Sequence, residues 1–144
     1  MEPNFKEMDD LIISDDKTKL DIELIHNFLT TSYWAEGRTI EAVKKSIEHS
    51  ICFGVYKNDR QIGFARIVTD YTVIAYLMDV FILEEHRGNG FSKLLLKRIF
   101  EDNRFKSIKK WMLATKDAHA LYAQFGFGQI KNLDRLMEKV VLRK

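Results

Sequence analysis

One cysteine and one proline are all that this 144-residue chain holds of either, and each scarcity excludes something. The lone thiol, Cys52, cannot close an internal disulfide and rules out a cysteine-rich metal site. It stands between Ile51 and Phe53, so it reads as a buried, inert thiol. With Pro3 the only proline, no proline-rich linker divides the chain. Neither a repeat nor a low-complexity stretch interrupts it, and a single domain over residues 1–144 is expected. No apolar run approaches the roughly 20 residues that a membrane-spanning helix needs, so no membrane partner is expected. Met1 to Asp10 is acidic and polar, unlike a secretory signal, and a cytoplasmic location follows by default. Formal net charge is only +2. Without a broad basic field, nucleic acid is not expected as the main ligand. None of His26, His49, His86 and His119 has a second His or Cys at ligand spacing, so no metal is expected either.

What is present is an ordinary globular balance, 46% hydrophobic and 31% charged. Leu11 to Ser14 reads as a short strand. Asp21 to Thr31 comes next, with Ile22, Ile25, Phe28 and Leu29 at helical spacing. Thr39 is a good N-cap for a second helix whose face carries Ile40, Val43 and Ile47. Strands are expected over Ile51 to Tyr56 and Gln61 to Thr69, joined by a turn at Lys57-Asn58-Asp59-Arg60. Val73 to Leu83 is a long β-rich run broken by one acid, Asp79. Phe91 to Phe100 returns to helical spacing. A short strand (Lys110 to Thr115), a short helix (Asp117 to Phe125) and two late strands (Gly126 to Ile130 and Leu133 to Leu142) complete the chain. The order β-αα-βββ-α-β-α-ββ implies a strand–helix–strand crossover between Val73 and Thr115. A mixed sheet with helices on its faces, an α/β (α+β) architecture, is expected.

The most informative residues are Arg87-Gly88-Asn89-Gly90-Phe91-Ser92, at the junction of the longest strand and an amphipathic helix. Glycines there let the backbone turn tightly and approach a ligand. The first amides of a helix lack internal partners, and the helix dipole adds partial positive charge. The junction therefore reads either as a plain turn or as a phosphate site, with Arg87 adding a charge-assisted contact. It is not a P-loop, because Lys93 falls at the wrong distance. It is not a dinucleotide fingerprint, because Lys93 stands where the third glycine belongs.

Arg87 to Ser92 resembles the [QR]xxGx[GA] pyrophosphate motif of the GCN5-related N-acetyltransferases (GNAT), with Ser92 in place of the usual final Gly or Ala. Ala118-His119-Ala120-Leu121-Tyr122-Ala123-Gln124-Phe125-Gly126-Phe127 resembles that family's A-x-x-LY-x-x-x-GF segment. Val80 to His86 is similar to the strand and turn that lead into the phosphate loop. The resemblance covers nearly the whole chain. It implies the GNAT fold, with parallel strands that splay to admit acetyl-CoA as co-substrate. It implies that the main chain of Phe81 and Ile82 bonds the pantetheine arm and acetyl group, and that the amides of Gly88, Asn89, Gly90, Phe91 and Ser92 hold the pyrophosphate. Thr115 stands where many relatives carry Asn near the cofactor, and is left out of the site.

Acetyl transfer needs a neutral amine, yet a lysine-like amine of pKa about 10.4 is mostly protonated at neutral pH. Asp79, Glu84 and Glu85 are the carboxylates expected nearest the acetyl group. Alternation puts Asp79 with Leu77, Phe81 and Leu83 on one face, toward either cleft or core, so it is a candidate base or a structural acid. Glu84 and Glu85 read as exposed turn acids. By resemblance, Tyr122 takes the position of the tyrosine that protonates the leaving thiolate. Tyr33, Trp34 and Arg38 belong to the loop over the acceptor side in relatives, suited to an aromatic or anionic part of a small-molecule or peptide amine. Arg66 and Tyr71 are weaker candidates, and His119 reads as a surface or packing residue. An acetyltransferase, a non-catalytic acyl-CoA-binding module and a simple phosphate-binding protein all fit these features. A symmetric homodimer is the base-rate expectation for assembly.

Overall fold

The computed structural model describes residues 10–141. Of the polar stretch Met1 to Asp10, only Asp10 lies among them, and Leu142 lies outside. The described residues form two compact units, 10–114 and 115–141.

In the first unit, β1 (Leu11–Ser14), β2 (Ile51–Lys57), β3 (Arg60–Thr69) and β4 (Ile74–Ile82) pair antiparallel in sequence order, and β5 (Lys110–Met112) joins β4 in parallel. Helices α1 (Ile22–Thr31) and α2 (Ile40–Glu48) lie between β1 and β2 in sequence, and α3 (Phe91–Phe100) between β4 and β5. This is the mixed α/β sheet with flanking helices that the pattern implied. Side-chain caps fix the first two helices. Asp21 accepts from the Leu24 N–H at 3.1 Å and Thr39 from the Ala42 N–H at 3.1 Å, each satisfying an amide that the helix itself leaves open.

Their apolar stripes, Ile25 and Leu29 with Val43 and Ile47, pack with Cys52, Phe64 and Phe81 into one core. Desolvation in that core pushes the Cys52 thiol up to about 11, which keeps it protonated and unreactive. Neighbouring strand residues face opposite ways, so Phe53 looks to the other side of the sheet. There the Arg98 guanidinium lies 5.1 Å from its ring centre, and α3 buries Phe91, Leu95, Leu96 and Ile99. The β2–β3 turn places Asn58 and Asp59 at φ of 52° and 64°. Two successive left-handed residues make a turn whose twist matches the hairpin.

Two features of β4 bear on function. Phe64 pairs with Phe81 but Arg66 with Met78, so Asp79 and Val80 together oppose one residue of β3. This is a β-bulge, with Asp79 at φ 55°. Beyond Ile74–Tyr76, which pair with Lys110–Met112, β4 runs on from Leu77 to Ile82 with no strand on that side among the described residues. The parallel pair ends early and leaves a free strand edge.

In the second unit, α4 (His119–Ala123) is shorter than the periodicity suggested. Thr115 Oγ1 accepts from the Ala118 N–H at 3.1 Å. The helix closes at Gly126, φ 92°, where the Phe125 and Phe127 N–H groups both donate to the Tyr122 carbonyl, at 2.9 and 3.3 Å. The two late strands expected over Gly126 to Ile130 and Leu133 to Leu142 do not form among the described residues. Only a 3-10 turn, Leu133–Arg135, interrupts an irregular path. The apolar residues here, Phe127, Ile130, Leu133, Leu136, Met137, Val140 and Val141, fall three apart or side by side. That is not the alternation of a half-buried strand, and Met137 is 98% exposed. The order is therefore β-αα-βββ-α-β-α.

Candidate active site

Past Ile82 the chain makes a 3-10 turn, Glu84–His86, and then the glycine loop. Gly88 and Gly90 lie at φ 84° and 80°, where a side chain would be strained. Gly90 is the N-cap of α3 and brings no capping oxygen. The N–H groups of Phe91 and Ser92 have no partner among the described residues. An added Cβ at Gly88 would meet nothing within 4 Å, so the loop is open to a ligand. Arg87 Nε donates to the Ile82 carbonyl at 2.9 Å and Asn89 Nδ2 to the His86 carbonyl at 3.2 Å. These bonds brace the loop on the strand and leave the terminal nitrogens of Arg87 for an anion.

The free edge of β4 leads into this loop. The Leu83 N–H donates to the Ile62 carbonyl at 2.8 Å. Counting back by alternation, the backbone of Phe81 also faces β3, and that of Ile82 faces the free edge. Of the two, only Ile82 turns its main chain to that edge, and its carbonyl there already accepts from Arg87 Nε. Phe81 instead contributes its ring, stacked 4.0 Å from Phe28.

Asp79 is buried, 5% exposed, with three side-chain donors. Trp34 Nε1 donates to Oδ1 at 3.0 Å, and Arg38 Nη1 and Arg66 Nε donate to Oδ2 at 2.8 and 2.9 Å. The bulge makes this possible, since its extra residue takes the left-handed conformation that aspartate tolerates better than most. Strain and buried charge concentrated in one residue mark a place held for a purpose. Its oxygens are turned to these donors, an arrangement suited to positioning Trp34 and Arg38.

Arg66, weighed only as a weaker acceptor contact, is a member of this cluster. Its other nitrogens reach Ser50 Oγ at 3.1 Å and Met78 Sδ at 3.3 Å. The signal was legible: Arg66 and Asp79 are charges of opposite sign set within apolar runs of adjacent strands. Tyr33 and Trp34 are 59% and 40% exposed, with their rings edge-on at 5.3 Å. Glu84 and Glu85 are exposed, as is Tyr71. Tyr122 belongs to the second unit, where it is buried with its ring edge-on to Phe127 at 5.9 Å. His119 is exposed there.

A polar groove of about 460 Å³ opens at the opposite end of the sheet, beside Asp15, Lys17, His49 and Arg104. It has neither a glycine loop nor an open strand edge. Among the described residues no three His, Cys, Asp or Glu side chains converge as a metal site would require, and no helix is long and apolar enough to cross a membrane.

The family described as "Acetyltransferase (GNAT) domain" matches residues 48–129. A crystal structure from Xanthomonas campestris pv. campestris, described as a "putative acetyltransferase belonging to the gnat family", is 42% identical. The match covers 91% of this chain and 93% of that one, with a TM-score of 0.88. A Gibberella zeae protein described as a "Putative acetyltransferase" is 27% identical over 80% of this chain and 77% of its own length. At 17% identity, a Clostridium acetobutylicum structure described as a "predicted acetyltransferase with acetyl-CoA" shares the fold, with a TM-score of 0.67 over 90% of this chain and 96% of that one.

Proposed function

Because this chain belongs to the GNAT acetyltransferase family, we propose that it is an N-acetyltransferase that moves the acetyl group of acetyl-CoA to a primary amine by direct attack. The observation that carries this reading is the junction of β4 and α3. A strand edge with no neighbouring strand among the described residues leads to two left-handed glycines and to helix amides with no partner among them. Such amides suit a pyrophosphate, and a strand edge suits an amide-bearing pantetheine arm. The fold neighbour described with acetyl-CoA adds support.

The thioester supplies an activated acyl carbon: the amine nitrogen forms the C–N bond, the C–S bond breaks, and the amine's surplus proton ends on sulfur or in water. The protein's part is positioning and charge. The amides of Gly88 to Ser92 and Arg87 hold the diphosphate, and the Ile82 N–H lies at the edge where the thioester arm would run. Alignment of this kind contributes about 7–11 kcal/mol when reacting atoms are well placed. Tyr122, by its place in the A-x-x-LY motif, gives a proton to the departing sulfur. Asp79 holds Trp34 and Arg38 in place over the acceptor side and is not the base.

The test is release of free thiol from acetyl-CoA across a panel of amines, with Tyr122→Phe beside the wild type. Turnover, slowed in the variant while acetyl-CoA affinity holds, is the expected result. Tight acetyl-CoA binding with no release for any amine would make the protein a binding module instead. An unchanged rate for Tyr122→Phe at every pH would remove that residue from the mechanism.

A further inference from the structure

Charge in the Asp79 cluster does not balance. Two guanidinium groups, Arg38 and Arg66, face a single carboxylate, and no other carboxylate among the described residues pairs with either arginine. Arg66 is the enclosed partner, its side chain 9% exposed and its nitrogens shared among Asp79, Ser50 and Met78. Arg38 is the outward one. Its side chain is 21% exposed and its only side-chain partner among the described residues is Asp79, through Nη1. The remaining guanidinium N–H groups therefore have no acceptor among the described residues.

Arg38 is also held still. Its N–H donates to the Ala35 carbonyl at 3.0 Å, and its carbonyl lies 3.0 Å from His26 Nε2. Backbone and side chain are both fixed, so little freedom is lost when an anion arrives. A surplus cation, part-buried and rigid, is costly to maintain without a counter-charge. Beside it stand Trp34, bonded to the same carboxylate, and the bulge of β4 whose free edge runs to Ile82.

We propose that Arg38 is the specificity-determining residue for an acceptor that carries an oxyanion, carboxylate or phosphate, on the same small skeleton as its reactive amine. A planar guanidinium matches either group in a two-pronged contact. This rests on the acetyl-transfer reading and narrows its acceptor from any primary amine to an anionic one. A neutral polyamine or a plain alkylamine would leave the Arg38 charge uncompensated.

Matched acceptor pairs test it: amino acids against their amides, and aminoethyl phosphate against ethanolamine, each assayed by thiol release. The anionic member of at least one pair is expected to have kcat/KM roughly tenfold to a hundredfold higher, the range of a hydrogen bond to a charged group. Which pair responds identifies the oxyanion. In Arg38→Gln that ratio falls toward one, and Arg38→Lys restores part of it; acetyl-CoA titration of each variant checks that the site is folded. Turnover with equal or better use of the neutral member of both pairs would overturn the proposal while leaving acetyl transfer intact. No turnover with any acceptor would overturn the acetyl-transfer reading, and this proposal with it.

Discussion

Two aspartates in this fold are each gripped by two arginines, and the two clusters are built for different ends. Asp102 accepts from Arg104 through Nε, Nη2 and the backbone N–H, and from Arg98 through Nη1 at 3.0 Å. Arg104 reaches on to Asp15 at 2.8 Å. Two acids there meet two bases, and the arginine side chains are 40% and 41% exposed. Water shares the load, so each pair is worth little. At Asp79 one acid meets two bases, the carboxylate side chain is 1% exposed, and its backbone sits in the left-handed region. A balanced cluster at the surface ties the turn after α3 to the end of β1. An unbalanced one in the interior carries strain and desolvation, and presents one positive charge toward solvent.

Removing the buried acid should have the largest effect. Asp79→Ala leaves two guanidinium groups facing each other, one of them enclosed, and should cost about 3–5 kcal/mol, read as a lower urea midpoint. A loss below about 1 kcal/mol would put the cluster in the same class as the surface one. Asp79→Asn keeps an oxygen for Arg38 and should retain more stability. If Asp79 positions Arg38, its defect should appear in acceptor KM more than in kcat.

Asp102→Ala removes ion pairs whose arginines are largely exposed and the cap of a 3-10 turn, whose Arg104 N–H it accepts at 2.9 Å. A loss of about 1–2 kcal/mol is expected from the cap, and a cost as large as that of Asp79→Ala would erase the distinction.

Acid should bring out the surface cluster more gently still. Hydrogen bonds from Arg104 above all, and from Arg98, hold the Asp102 carboxyl well below its ordinary value of 3.8 despite partial burial. A carboxyl depressed on folding contributes its full stability above that ordinary value and loses it as pH falls toward the folded one. Unfolding midpoints measured from pH 5 downward should fall less steeply in Asp102→Asn than in the wild type. Parallel curves would show that the ion pairs add nothing to the folded state.

Much of the framework was legible because local chemistry and global fold agree. Thr39 announces a helix start that the structure caps with that same side chain. Asn58-Asp59 marks the hairpin, and Gly88 with Gly90 marks the turn into α3. What escaped depends on pairing between segments. The bulge at Asp79 exists only as a mismatch between β3 and β4, so the partnership with Arg66 was hidden although both lone charges were visible. The same bulge-bearing register turns the Phe81 backbone toward β3 and gives the free edge to Ile82. The late strands failed for the opposite reason. Their residues are β-branched or apolar often enough, but they fall three apart or side by side rather than alternating, and a strand needs a ladder partner as well as composition.

Amide hydrogen exchange, followed residue by residue with and without acetyl-CoA, probes the β4–α3 junction most directly. Exchange at Gly88 through Ser92, and at Ile82, should slow on addition of acetyl-CoA, while amides beside the polar groove at the far end of the sheet keep their rates. Slowing around Ser50 and Thr69 with none at Phe91 and Ser92 would mean that the ligand binds elsewhere and that the glycine loop is only a turn.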